Sequence, residues 1–287
     1  MTPKPPPIYK QYRLESWDAF LKIITDSPYS NWAFRGHRKE QWPLASALSR
    51  YFRSFRLDRR AWPQQEDRIL RVFKRKAIQF LAQPPTLDDD FQWLALMQHH
   101  GAPTRLLDFT WSPYVATFFA LERATSEAAV WALNPADISA GGIRRSPKSK
   151  ARAIATSAMD PRLAGNFARY FLKGNREFMW LGEPEVMNRR LIAQSGTFVL
   201  PGVLDRPMED IARKYPDPKN MMAKFILPAG KIRETGLREL YRMNITFATL
   251  FPDLDGLARS LGYELEFHWA YNPRTMETYH AASKDSS

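Results

Sequence analysis

Between His99 and Leu121 the chain reads HHGAPTRLLDFTWSPYVATFFAL, and this punctuation permits few local structures. Gly101 and Pro103 stop the apolar helix that runs into them: glycine loosens the backbone, and proline lacks an amide donor and fixes φ. Ser112 then offers a side-chain cap, and Pro113 is pre-set for a first helical position. The segment predicts helix, extended loop, helix. The first helix, in LDDDFQWLALMQHHG, starts near Asp88, and Phe91, Trp93, Leu94, Leu96 and Met97 surround it, so it should be buried nearly all round.

The rest of the chain reads similarly. SWDAFLKIITD predicts a helix capped by Ser16, with Trp17, Phe20, Leu21 and Ile24 on one stripe. NWAFRG (Asn31–Gly36) reads as a short strand. Gln64–Gln83 predicts a long amphipathic helix whose inner face carries Ile69, Phe73, Ala77 and Phe80. AVWALN, GTFVLP and AKFILP read as strands, and DPRLAGNFARYFL, KIRETGLRELYRMN and LDGLARSLGYELEFHW as helices. Helices and strands mixed without a βαβ rhythm predict one α+β domain over residues 16–272, between a Pro-rich tail (1–15) and a polar tail (273–287).

The 287 residues include no cysteine, which excludes disulfides, thiolate metal sites and a cysteine nucleophile, and fits a reducing compartment. No apolar run reaches membrane-spanning length, and the opening MTPKPPPIYK lacks the hydrophobic stretch of a signal peptide. A cytoplasmic protein without a membrane partner is the expectation. The net charge is +12, from 42 basic and 30 acidic residues. The excess is local: Arg50–Lys76 holds ten basic residues against three acidic ones, and Arg144–Arg152 five against none. Arginines interleaved with aromatic rings suit a polyanion, since cations neutralise phosphates and rings stack on unpaired bases. Arg144, Arg145, Lys148, Lys150 and Arg152 are the candidate nucleic-acid contacts. A solvated basic surface, or one that binds an acidic protein, has the same composition.

Phosphate-loop, dinucleotide-loop, zincin and nucleophile-elbow motifs do not occur. His99 and His100 are adjacent, so on a helix their rings should diverge. His37, His268 and His280 show no ligand spacing, and no metal site is expected.

Two polar–aromatic constellations stand out. In WAFRGHR, strand alternation puts Ala33 and Arg35 on one face and Trp32 and Phe34 on the other. If Phe34 faces the core, Arg35 faces a cleft, where its planar fork suits phosphate or carboxylate and Gly36 would let a ligand approach the backbone. A strand-end arginine paired with a surface acid is the plainer alternative. In the second constellation, alternation groups Asp108, Thr110 and Ser112 opposite Phe109 and Trp111, just ahead of a helix N-terminus able to hold an anion. The alternative there is an Arg105–Asp108 ion pair with Thr110 and Ser112 only capping.

Taken together, FRG followed by QHHGAPTRLLDFTWSPYVATFFA resembles the FRG-domain family, which has an aromatic where His100 stands and a Trp where Phe109 stands. RLIAQSGTFVL (Arg190–Leu200) and TLFPDLDGLARSL (Thr249–Leu261) extend the resemblance. A more distant resemblance runs to ADP-ribosyltransferases of the Arg–Ser–Glu type, with an aromatic–Arg–Gly strand and a polar strand leading into a helix. It implies a small split mixed or antiparallel sheet flanked by helices, and NAD as substrate without a metal. Arg35 would hold the diphosphate, with Gly36, His100, Thr104, Arg105, Phe109, Thr110 and Ser112 around the NAD. Phe109, Phe118 or Phe119 would stack on nicotinamide. Bond breaking at the nicotinamide ribose develops positive charge, so a carboxylate must stand nearby. The family's third motif, a glutamate pair or Gln-x-Glu, is not found: Gln194 occupies its bridging position, but Gly196 replaces the glutamate. Asp108 could supply the carboxylate; Glu177, Glu183 and Glu185 are the other candidates.

The reading implied is an NAD-dependent ADP-ribosyltransferase with RNA as acceptor, a toxin of a toxin–antitoxin or phage-defence system restrained by an acidic partner. A non-catalytic nucleic-acid-binding module and a metal-free ribonuclease using His99, His100 and Asp108 are the alternatives.

Overall fold

The computed structural model describes residues 7–25, 27–140 and 156–267. Seven strands form one mixed sheet: β1 (Lys10–Arg13), β2 (Ala33–His37), β3 (Leu107–Thr110), β4 (Glu127–Leu133), β5 (Met179–Gly182), β6 (Gly196–Pro201) and β7 (Met222–Pro228). Their spatial order is β1-β7-β4-β2-β3-β6-β5. Only the β1–β7 pair is parallel. The helices are α1 (Trp17–Thr25), α2 (Ala47–Ser54), α3 (Trp62–Ala77), α4 (Asp90–His99), α5 (Pro113–Leu121), α6 (Pro135–Ala140), α7 (Arg189–Ala193), α8 (Met208–Ile211), α9 (Pro218–Met221), α10 (Ala229–Arg242), α11 (Phe247–Leu250) and α12 (Leu254–Phe267). This is an α+β fold, with a larger sheet than the small one expected. Among the described residues no helix is long and apolar enough to cross a membrane.

The central strands are apolar on both faces because both are covered. In β4, Ala128, Val130 and Ala132 join a core with α1, α5 and α10, while Trp131 and Leu133 join a second core with Met208 and Ile211 of α8. In β7, Phe225 faces the first core and Met222 the second. A third core packs α3, α4 and the π-helical turn Phe167–Leu172 against β5 and β6.

Three local findings depart from the sequence expectations. Lys10–Arg13, expected in the tail, pairs with Ala223–Ile226 of β7, and the Arg13 guanidinium bonds Glu127. α2 was not expected, although Ser46 caps it by accepting from the Ser49 amide and Leu48 and Phe52 fill its inner face. On α3 the buried stripe is Trp62, Glu66, Leu70 and Lys74; Ile69 and Phe73 are only partly buried, and Phe80, past the helix end, is 80% exposed. Charge misdirected the hydrophobic reading here, because Glu66 and Lys74 are buried against partners distant in sequence. Lys74 donates to Asp90 and to the Leu87 carbonyl, both at 2.6 Å. Glu66 pairs with Arg105.

Candidate functional site

β2 and β3 are paired at one register position, Phe34 opposite Thr110. On either side of it each strand bonds another neighbour: residues 33–37 pair with β4, and 107–110 with β6. The two strands splay beyond the Phe34–Thr110 pair and split the sheet. A side chain must fill such a split, since exposed ladder groups otherwise need water or a partner.

Arg35 fills it. Its register partner is Trp131, and it leaves β2 on the Ala33 face. The guanidinium reaches across the split, with Nη1 donating to the Asp108 carbonyl oxygen at 2.6 Å and lying 3.8 Å from Asp108 Oδ2. Nε donates to His37 Nε2 at 3.1 Å. His37 Nδ1 lies 3.2 Å from the Trp42 carbonyl, so the ring is the Nδ1–H tautomer and donates there. Burial, and then the Arg35 charge, push the His37 pKa down to about 3. Burial also lowers the Arg35 pKa, against the raising effect of Asp108.

The split opens into a cleft of about 710 Å³ that Arg35, Arg38, Arg50, Arg123, Arg190 and Arg259 line, with Asp108 and Glu122 as its only carboxylates among the described residues. Phe34, Trp42, Phe109, Phe119, Phe247 and Phe251 supply its rings. Glu122 lies 2.7 Å from Arg123. Among the described residues Arg38, Arg50, Arg190 and Arg259 have no carboxylate within 4.0 Å. Instead Arg38 sits 5.8 Å over the Trp42 ring, and Phe251 lies 4.3 Å from the Arg190 guanidinium and 5.9 Å from that of Arg259. Burial lowers the Arg190 pKa. Three of these four guanidiniums face rings and Arg50 donates to the Ala45 carbonyl, so with six arginines against two carboxylates among the described residues the lining carries net positive charge beside apolar walls, the field an anionic, partly aromatic ligand needs.

Arg35, Asp108, Gln194, Phe109, Thr110 and Gly36 thus meet at one cleft. The hydroxyls in this region hold the backbone. Thr110 Oγ1 donates to the Gln194 carbonyl at 2.6 Å and accepts the Ser112 amide at 3.0 Å. Ser112 Oγ caps α5 by accepting from Val115 at 3.3 Å. Gln194 Nε2 donates to the Leu250 carbonyl at 3.0 Å, which ties α7 to α11.

Several expected contacts are displaced from the cleft. Arg105 and Thr104 are core residues. Arg105 is 2% exposed and donates to Glu66 Oε1 at 2.7 Å, to the Pro201 carbonyl at 2.9 Å and to the Phe171 carbonyl at 2.9 Å. The Arg105–Asp108 ion pair considered from sequence does not form, because Glu66 takes the guanidinium. Thr104 donates to Gln98 Oε1 at 2.6 Å and accepts the Leu106 amide. Ser112 and His100 lie off the cleft lining, His100 as the exposed C-cap of α4. Its backbone (φ −90°, ψ 13°) has left the helix, so the His99 and His100 rings meet edge to face at 4.8 Å instead of diverging. Phe118 is fully buried, whereas Phe119 lines the cleft. Glu177 pairs with Arg206, Glu183 accepts from the Trp111 indole, and neither they nor Glu185 reach the cleft. Gly36 has a packing role: a Cβ there would stand 2.0 Å from the Ala116 carbonyl oxygen, so α5, not a ligand, lies against it. Arg144, Arg145, Lys148, Lys150 and Arg152 fall outside the described residues. Among those described, no group of three His, Asp or Glu side chains is placed to hold a metal ion.

Sequence reasoning missed Arg38, Trp42, Arg50, Arg123, Arg190, Phe251 and Arg259. Arg190 and Phe251 lie in segments quoted for the family resemblance, but only folding shows that they stack.

Residues 30–129 match the FRG domain. The match takes in β2, β3 and α5, and hence both sides of the split. Arg190, Gln194, Phe247, Phe251 and Arg259 complete the cleft from beyond the matched FRG segment. Comparisons with curated proteins and with solved structures returned no match.

A pH response follows from His37. Its folded pKa lies below the ordinary 6.5, so its contribution to stability is full above pH 6.5 and falls as the pH drops toward 3. The slope is about 1.4 kcal/mol per pH unit, or on the order of 2 kcal/mol by pH 5. Urea denaturation at pH 7.5 and pH 5.0 should show this loss in the wild type and a much smaller one in His37→Gln. Equal losses in both proteins would refute the assignment.

Proposed function

We infer that the cleft binds NAD and that the protein transfers ADP-ribose to an acceptor, RNA being the one its basic surface favours. The observation that carries the reading is the cleft's excess positive charge: four arginines without an ion-pair partner among the described residues, three of them set against rings, in a volume of about 710 Å³. Sites for small ligands run to roughly 300–1,000 Å³. Arg35 and Arg190 are the candidates for the diphosphate, since a guanidinium donates a two-pronged fork to phosphate oxygens. Phe119 and Phe251 offer ring faces for nicotinamide or adenine.

Asp108 is the carboxylate of choice. Its side chain is 55% exposed at the cleft, 3.8 Å from Arg35, and accepts from Gln98 Nε2 at 2.8 Å. Glu122, the other candidate on the lining, is drawn to Arg123. A carboxylate beside the ribose stabilises the positive charge that grows as nicotinamide departs. Gln194 acts through position, holding Thr110 at the cleft wall and tying it to the Leu250 carbonyl of α11. An enzyme that modified RNA in this way would be toxic to its own cell, and an acidic neutralising protein would suit the basic surface.

Calorimetric titration with NAD, and transfer of label from NAD to RNA and to protein, test the reading. Arg190→Ala should weaken NAD binding at least tenfold, the loss of one charge-assisted hydrogen bond. Asp108→Asn should keep NAD binding and lower transfer by roughly a hundredfold or more. An absence of NAD binding by the wild type would refute the reading.

A further inference from the structure

Tyr51 of α2 and Phe55, the C-cap of that helix, form an exposed aromatic pair, and Arg50 of the same helix lines the cleft. Tyr51 is 52% exposed and Phe55 76%. One helical turn apart, they stack on each other with centroids 6.0 Å apart and planes 22° from parallel. Neither joins a core; Leu48 and Phe52 on the opposite side anchor the helix. Residues 50–60 hold five arginines and one aspartate. That aspartate, Asp58, pairs with Arg60, and Arg59 lies 3.9 Å from Asp205. Arg50, Arg53 and Arg56 have no carboxylate partner among the described residues. Arg50 lines the cleft, its Nη1 donating to the Ala45 carbonyl. Arg53 stands one turn further along the same helix, and Arg56 follows in the left-handed region at φ 52°.

We propose that the Tyr51–Phe55 ladder and the arginines beside it form a docking strip for single-stranded nucleic acid that leads into the cleft. Charge and shape together select this occupant. Uncompensated guanidiniums need a polyanion, and they stand beside two exposed rings spaced about 6 Å along the helix axis. In a duplex the base faces are already stacked and closed to these rings; a single strand presents base faces and phosphates on one side. An acidic peptide would use the arginines but gain little from two parallel ring faces. The strip's use by an acceptor rests on the transferase reading; the binding itself does not.

Fluorescence anisotropy of the full chain with a labelled 15-nucleotide single-stranded RNA, its DNA counterpart and the matching duplexes tests the proposal. Tyr51→Ala and Phe55→Ala should each weaken single-strand binding roughly tenfold, and the double variant roughly a hundredfold. Arg53→Glu should weaken it and flatten its salt dependence. Circular dichroism and thermal melting should match the wild type, because these side chains lie outside the cores. NAD titration of the same variants should be unchanged, since none of the three residues lines the cleft. Binding of RNA, DNA or both single strands in this pattern supports the strip. Duplex bound as tightly as single strand, no single-strand binding, or binding that the ring substitutions leave intact would overturn it. Single-strand binding that depends on the rings, with no NAD binding, would retain the strip and remove the transferase reading.

Discussion

Glu66→Ala is expected to destabilise the protein by about 3–5 kcal/mol, the usual penalty for leaving a buried charge without its partner. Glu66 and Arg105 are each 2% exposed, and the guanidinium is clamped from every side. Beyond the carboxylate it bonds the carbonyls of Phe171, Pro201 and Gly202 and stands 5.4 Å from the rings of both Phe167 and Phe171. Arg105→Lys should be nearly as damaging, because an ammonium cannot serve the carboxylate and these separated carbonyls together. The double variant Glu66→Leu/Arg105→Met should lose less than the two single losses added, since removing both charges ends the uncompensated burial. It should not recover fully, because the carbonyls of Phe171 and Pro201 then lack a donor. Urea denaturation of the three variants and wild type gives the coupling directly. Additive losses would show that the pair does not act as a unit.

Gly36→Ala is the second large effect. The added methyl would sit 2.0 Å from the Ala116 carbonyl oxygen and 2.7 Å from the Ala120 amide nitrogen. Both are helix backbone atoms, so no rotamer change relieves the clash; α5 must move away from β2. Overpacking in a core costs about 1–3 kcal/mol, and a rigid contact of this kind belongs at or above that upper end. At roughly 2–4 °C per kcal/mol, the melting temperature should fall by about 6 °C or more. Gly262→Ala is the control: nothing lies within 4 Å of its added Cβ, and removing a helical glycine should leave stability unchanged or raise it by about 0.5–1 kcal/mol. The Gly36 variant should also bind NAD poorly, because moving α5 shifts Ala116 and Phe119 on the cleft wall. A melting temperature equal to wild type would show that α5 does not rest on β2 as described.

These two residues show how far the sequence could be read. Gly36 was conspicuous in WAFRGHR, but its expected reason, a ligand approaching the backbone, is replaced by a helix doing so. Arg105 was conspicuous beside Asp108, yet its partner stands 39 positions earlier, on the buried stripe of α3. A hydrophobic periodicity cannot register a charged residue as internal, so it assigned Ile69 and Phe73 to the face that Glu66, Leu70 and Lys74 occupy. Ser112–Pro113, by contrast, was fully readable: capping depends on neighbours in sequence, and the cap forms as expected at the start of α5.

What the sequence by itself determined is therefore local: where helices α4 and α5 stop and start, which strands are apolar throughout, that the chain is strongly basic, and that Arg35 is out of place in an ordinary strand. Tertiary structure alone decided the sheet order, the split between β2 and β3, and the meeting of Arg35 and Asp108 across it. It also decided which of the described basic residues are paired and which are left facing a cleft. The physical reason is range. Capping and periodicity act over a few residues, whereas a guanidinium's partner is fixed by chain segments that meet only once the cores have closed.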